Sequence, residues 1–295
     1  MDFGVAGTGL LTGLLVGVTG MGGGALTMPI LTLVFGVPPL AAVSSDLVAG
    51  AVMKPVGAAV HLRRGTVQPK LVGWLCLGSL PAAVVGSLLA GSLGAGAEST
   101  LEEITGGAVL LAAVLLFARM LLARRRGSAP GRAVVRPVLT VLLGAVAGLV
   151  VGTTSVGSGS IIIVCLLLLN RELTSARLVG TDLVQAVPLV LVAALGHLLA
   201  GEVHFGLVGA LLVGSVPGVL IGALISARVP DRPVRVLLGG MLVTSGLMML
   251  GAPVAAGAAA GALVVLVAAL APVLSRTRRS RRDSTADPTG QEVPG

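Results

Sequence analysis

Aromatic side chains are almost missing from this chain: its 295 residues include no Tyr, one Trp and four Phe. A nucleic-acid surface that stacks bases needs aromatics among its basic residues. The formal net charge of +8 therefore does not point to nucleic acid. Charge itself is scarce, at 11% of residues. The two cysteines, Cys76 and Cys165, lie inside apolar stretches and not at metal-ligand spacing, so they are expected to be buried free thiols and no metal is expected. The opening Met1-Asp2-Phe3-Gly4 lacks the basic stretch of a cleaved signal peptide and is expected to start the first membrane segment. No cofactor is expected either. The glycine-rich stretch lacks the Lys-Ser/Thr of a phosphate-binding loop. Gly20-x-Gly22-x-x-Ala25 fits a dinucleotide fingerprint only formally, outside any soluble strand–turn–helix unit.

What the chain does have is apolar length. Hydrophobic residues make up 55% and mean hydropathy is +1.04, beyond what a soluble domain uses. Leu71–Leu89 and Val203–Ile225 approach or exceed the roughly 20 helical residues that cross a bilayer, and Val109–Leu122 is the apolar part of a longer segment. They do not alternate as barrel strands do. The fold class is therefore an all-α membrane protein in a lipid bilayer. Five segments are predicted in the first half, at 3–19, 24–36, 40–62, 69–91 and 101–122. The second half repeats them at 136–153, 159–169, 174–199, 204–227 and 234–250, with an eleventh at 253–274.

Basic residues order these segments across the membrane. Arg119 to Arg136 and Arg276 to Arg282 are expected in the cytoplasm, and the same register places Arg63, Arg64, Lys70, Arg228, Arg232 and Arg235 there too. The loops near Glu98 and Glu202 fall outside, as does the N-terminus, in a cell (cytoplasmic) membrane. The expected domains are a first repeat at 1–123, a cytoplasmic connector at 124–135, a second repeat at 136–251, an extra helix at 252–274 and a disordered cytoplasmic tail at 275–295.

The halves repeat in detail. Gly13–Gly24 aligns with Gly148–Gly159 at an offset of 135, and one inserted residue later the offset is 136. Asp46 then falls on Asp182, His61 on His197, Ser79 on Ser215 and Gly86 on Gly222. An odd number of segments per copy makes the copies inverted relative to each other, the arrangement of carriers whose site lies between their halves. The first two segments of each copy are short. They are expected to be glycine-broken or re-entrant half-helices whose tips meet near the midplane.

Three sets of residues carry the chemistry. Gly22, Gly23 and Gly24 break the first copy; Ser158, Gly159 and Ser160 stand at the equivalent break. Freed backbone survives in a membrane only where it faces a cavity or other protein, and it offers N–H groups to an anion. A close packing face for neighbouring helices is the plainer reading of any one glycine; paired breaks favour a substrate site. Lys54 lies mid-segment and falls on Val190, so it has no repeat mate. A lysine at that depth is functional by default, as a substrate contact or as a partner to Asp46. Asp46 and Asp182 complement helix N-termini in the simpler reading and are proton- or cation-coupling candidates in the sharper one. His61 and His197 fit packed interfacial histidines. A Ser44 or Ser45, His61 and Asp46 triad is disfavoured, because His61 lies about four turns, roughly 24 Å, along the helix.

These residues resemble the TauE/SafE sulfite exporter family over about 5–250. Gly20-Met21-Gly22-Gly23-Gly24-Ala25-Leu26-Thr27-Met28-Pro29-Ile30-Leu31 matches the family's glycine-rich motif, and Ser44-Ser45-Asp46 and Gly65 are similar. The second copy departs, with Ser158-Gly159-Ser160 for a fuller glycine run and Val164 where Pro is frequent. The resemblance implies secondary transport, not catalysis, of a small sulfur-containing anion, sulfite or an organosulfonate, by alternating access. An anion channel, or a permease for another small organic anion, is the alternative. The glycine-rich faces serve a homodimer or the core equally well.

Overall fold

The computed structural model describes residues 3–19, 23–94, 98–124, 136–169, 173–200, 203–225 and 231–285. All its regular elements are helices: α1 (Phe3–Thr19), α2 (Gly24–Pro29), α3 (Pro39–Arg63), α4 (Pro69–Gly94), α5 (Glu98–Arg124), α6 (Pro137–Thr154), α7 (Ser158–Leu169), α8 (Ser175–Ala200), α9 (Phe205–Ile225), α10 (Asp231–Met249) and α11 (Val254–Thr285). Every expected segment is one of these helices. Pro29 ends α2 in a π-helical turn, Ile30–Val34, where a missing N–H favours a shifted hydrogen-bond register. Among the described residues six helices are long and apolar enough to cross a membrane, α6 among them, so the opening segment of the second half is not short. The pieces Gly24–Val34 and Gly159–Leu169 are short. At 1.5 Å per residue each reaches only about 17 Å, roughly half a hydrocarbon core.

Three expectations change. Arg119 is no loop residue; it lies within α5 and is 5% exposed. Cys76 and Cys165 are free but only half-buried. Helix α11 continues through Arg276–Arg282 to Thr285, where arginine's good helix propensity extends it. The connector residues 125–135 and the tail residues 286–295 lie outside the described residues.

Packing partners exchange between halves. Helix α1 packs along α9, and α4 along α6, its repeat equivalent; α3 and α8, equivalent to each other, pack face to face. The pairs α4–α8 and α3–α9, and α5–α7 and α2–α10, are likewise mates. Glycines set the seams. A Cβ on Gly13 would run into the Ser215 backbone, and one on Gly148 into the Ser79 backbone. Gly9 faces Leu211, and Gly144 faces Leu75, in the same relation. Lipid chains are as apolar as leucine, so such close backbone approach, and not hydrophobic driving force, holds helices together in a membrane. Outward-facing residues are apolar: Leu199 is 87% and Leu224 80% exposed, as a lipid-facing surface requires.

Candidate functional site

The two breaks meet at the α3–α8 pair. Helix α6 ends at Ser155 in the left-handed conformation (φ 58°), and Gly157 (φ 101°) completes the turn before α7. A non-glycine residue there costs roughly 1–2 kcal/mol. The conformation is held by a bond across the halves: Ser155 Oγ donates to Asp46 Oδ2 at 2.6 Å. On the other side of that carboxylate stands Gly24. A Cβ there would lie 2.9 Å from Asp46 Oδ2 and would overlap the Ser155 carbonyl. Only glycine admits this approach.

Lys54 stands two turns beyond Asp46 on α3, within electrostatic reach of both Asp182 and Asp46. Asp182 also faces Arg119 from α5. Two carboxylates and two cations thus share one cluster, in which Asp46, Asp182 and Arg119 are buried and Lys54 half-buried, and this limits the penalty of burying any one of them. Asp182 Oδ1 is buried with no hydrogen-bond partner among the described residues. One turn along α8, Gln185 Nε2 donates to Ser79 Oγ at 2.7 Å. Gln185 Oε1 and the hydroxyls of Ser45 and Ser215 are also buried without partners among the described residues.

Space around Lys54 is uneven. Gly23, Gly24, Asp46, Gly50, Lys54 and Ser155 enclose only about 10 Å³, at the margin of the roughly 10–15 Å³ that admits one water. On the far side of Lys54 lies a cavity of 120 Å³, reaching past Gly57 to His61 and Arg64. Gly159 and Ser160 line neither space, and the side chain of Ser158 lies outside those described. Ser160 is buried, at 6% exposed. Gly22 lies outside the described residues. The structure thus brings together Gly23, Gly24, Lys54 and Asp46, with Asp182 close to Lys54 and Ser155 joining them from the second break, and leaves Gly159 and Ser160 outside both spaces.

Sequence reasoning missed Ser155 as a contact. Its signal was available: a hydroxyl at the position where the first half has Gly20. It also missed the partner of Ser44, while setting aside a pairing with His61. Ser44 does meet an imidazole, but it is His197 Nδ1 at 2.9 Å, not His61. His197 Nε2 donates to the Gly152 carbonyl at 2.8 Å. Both Ser44 and His197 are fully buried, so the pair offers nothing to a substrate. His61 Nδ1 lies 2.9 Å from Thr66 Oγ1 instead.

The family described as sulfite exporter TauE/SafE matches residues 5–249. The chain belongs to that family. It is 36% identical over 250 residues to "Probable membrane transporter protein YjnA" of Bacillus subtilis (strain 168), covering 82% of this chain and 97% of that protein. It is 27% identical over 199 residues to "Probable membrane transporter protein YdhB" of the same organism, covering 67% of this chain and 79% of the relative. No solved structure matches. As a TauE/SafE family member with several membrane-spanning helices, this chain is a multi-pass membrane transporter.

Proposed function

We propose that the chain is a secondary carrier for a small sulfur-containing anion, sulfite or an organosulfonate, in the cell membrane, with its N-terminus outside and its C-terminus in the cytoplasm. Lys54 supplies the counter-charge. The observation that carries this reading is a lysine without a repeat mate, set between the two equivalent aspartates and facing a 120 Å³ cavity. Gly22, Gly23 and Gly24 from one break, and Ser158, Gly159 and Ser160 from the other, offer N–H groups and hydroxyls once the halves move apart. Asp46 and Asp182 are the coupling groups. An anion at Lys54 adds negative charge beside two carboxylates, so arrival of a proton on one of them offsets the added repulsion.

The reciprocal packing of α1–α9 with α6–α4 supports two inverted repeats at 1–123 and 136–251, joined by a cytoplasmic connector. In such a fold an exchange of conformation between halves exchanges the open side. The closed surroundings of His197, with a cavity at His61, favour this carrier over a continuous pore. The test is uptake of labelled sulfite by proteoliposomes, for wild type and Lys54→Ala, with and without a pH gradient. Saturable flux is expected, with trans-stimulation, and Lys54→Ala reduces it about thirtyfold, the factor that corresponds to about 2 kcal/mol for one lost buried charge partner. Absence of sulfite flux in every condition overturns sulfite as substrate. Wild-type flux from folded Lys54→Ala overturns the site.

A further inference from the structure

The cavity beyond Lys54 has a chemistry of its own. It is the only one of the two spaces at Lys54 with room for more than a water: 120 Å³ against about 10 Å³. Three of its lining residues carry or can carry positive charge: Lys54 at the inner end, and His61 and Arg64 at the end of α3. Among the described residues no acidic side chain lines it; the remaining walls are glycine and apolar residues of α1, α3, α8 and α9. The carboxylates Asp46 and Asp182 reach Lys54 but are absent from this lining. His61 is fixed in the wall through Nδ1 by Thr66. A low-dielectric cleft lined by one sign of charge concentrates ions of the other sign.

Repeat symmetry does not generate this feature. Lys54, Gly57 and Arg64 fall on Val190, Ala193 and Ala200 in the second half. The remaining basic group, His61, falls on His197, which is fully buried with both ring nitrogens engaged. A basic chamber therefore exists at one end of the α3–α8 pair and is filled in at the other. Its mouth is the Arg63–Arg64 end of α3, which the distribution of basic residues assigns to the cytoplasm.

We infer that the space between Lys54, His61 and Arg64 is a receiving subsite for small oxyanions, separate from the glycine break, in which Arg64 and His61 take the anion from the cytoplasmic side and pass it to Lys54. The inference deepens the transporter reading and names a specificity-determining residue, Arg64, that touches the anion before Lys54 does.

The test separates the subsite from the identity of the substrate. In a Cys76→Ala, Cys165→Ala background, Val60→Cys places a thiol on the chamber wall. Its modification rate is measured with a negatively and a positively charged methanethiosulfonate of similar size. We expect the anionic reagent to be favoured about tenfold relative to the same pair on a small free thiol, the lower end of electrostatic focusing, and Arg64→Gln to remove most of that preference. Equal normalised rates, or a preference unchanged by Arg64→Gln, overturn the subsite whatever the protein carries. In proteoliposomes, Arg64→Gln should raise the KM for sulfite entering from the Arg64 side about tenfold with kcat retained, and Arg64→Lys should restore it. A fall in kcat at unchanged KM, or no rescue by lysine, assigns Arg64 a structural role and overturns the inference. Loss of sulfite flux in wild type rejects the substrate but leaves the reagent preference to decide the subsite.

Discussion

His61 and His197 hold the same place in two copies of one unit and end in different surroundings. His197 is sealed, with Ser44 on one nitrogen and the Gly152 carbonyl on the other. His61 keeps Thr66 on Nδ1 and borders a cavity. Three substitutions account for the difference: Ser44 stands where the other copy has Gly180, Lys54 where it has Val190, and Arg64 where it has Ala200. Gly180 still faces its histidine, since a Cβ there would lie 3.1 Å from His61 Nδ1, but it has no hydroxyl to offer. The scaffold is shared and the chemistry is not. On the carrier reading proposed above, equivalent halves would allow two conformations of similar energy, and unequal side chains would decide what is carried.

If the scaffold is shared, damage to it should be symmetric. The largest effect is expected at the seams. Gly13→Leu and Gly148→Leu each drive a side chain into a serine-bearing backbone segment. Each should cost about 3 kcal/mol or more and yield little monodisperse protein on size-exclusion chromatography. If one variant folds normally and the other does not, the equivalence of the α1–α9 and α4–α6 seams is wrong.

The chemistry, by contrast, should respond asymmetrically. Ser155→Ala takes the donor from Asp46 and leaves a buried carboxylate oxygen short of a partner. A loss of about 2 kcal/mol is expected, read as a lower melting temperature in detergent. No change would show that the contact across the breaks does not hold the halves together. Next, His197→Ala should destabilise by about 1–2 kcal/mol, because the Gly152 carbonyl and Ser44 both lose a partner. His61→Ala, losing one contact at a half-buried ring, should cost about 0.5 kcal/mol. Equal shifts for the two histidines would erase the distinction between a sealed and an open end. The smallest effect is expected at Gly73, where an added Cβ meets nothing. Gly73→Ala should stabilise α4 by about 0.5–1 kcal/mol, since alanine is the better helix former.

Much of the architecture was legible because membrane helices announce themselves by length and apolarity. In sequence the two halves share glycines at matching places, and the seams give those glycines a reason: Gly13 and Gly148 cannot be replaced without moving a neighbouring backbone. The cluster at Lys54 was half legible. A charge at membrane depth is conspicuous, whereas its company is set by tertiary packing. Arg119 illustrates the limit. In sequence it adjoins a run of arginines and resembles a loop residue, yet the α5 helix carries it inward to face Asp182. Likewise Ser44 lies far from His197 in sequence, and only the crossing of α3 with α8 joins them. The uneven room on the two sides of Lys54 depends on side-chain volumes from four helices, and no local pattern encodes it.

The carrier proposed above requires the end sealed at His197 to open during transport. Ser44→Cys with His197→Cys, in the Cys76→Ala, Cys165→Ala background, permits a short bifunctional thiosulfonate to join α3 to α8 across that contact. Sulfite flux is then compared before cross-linking, after it, and after reduction. The account expects flux in the unlinked protein, its arrest by the cross-link and its recovery with reductant. Undiminished flux through fully cross-linked protein would contradict it.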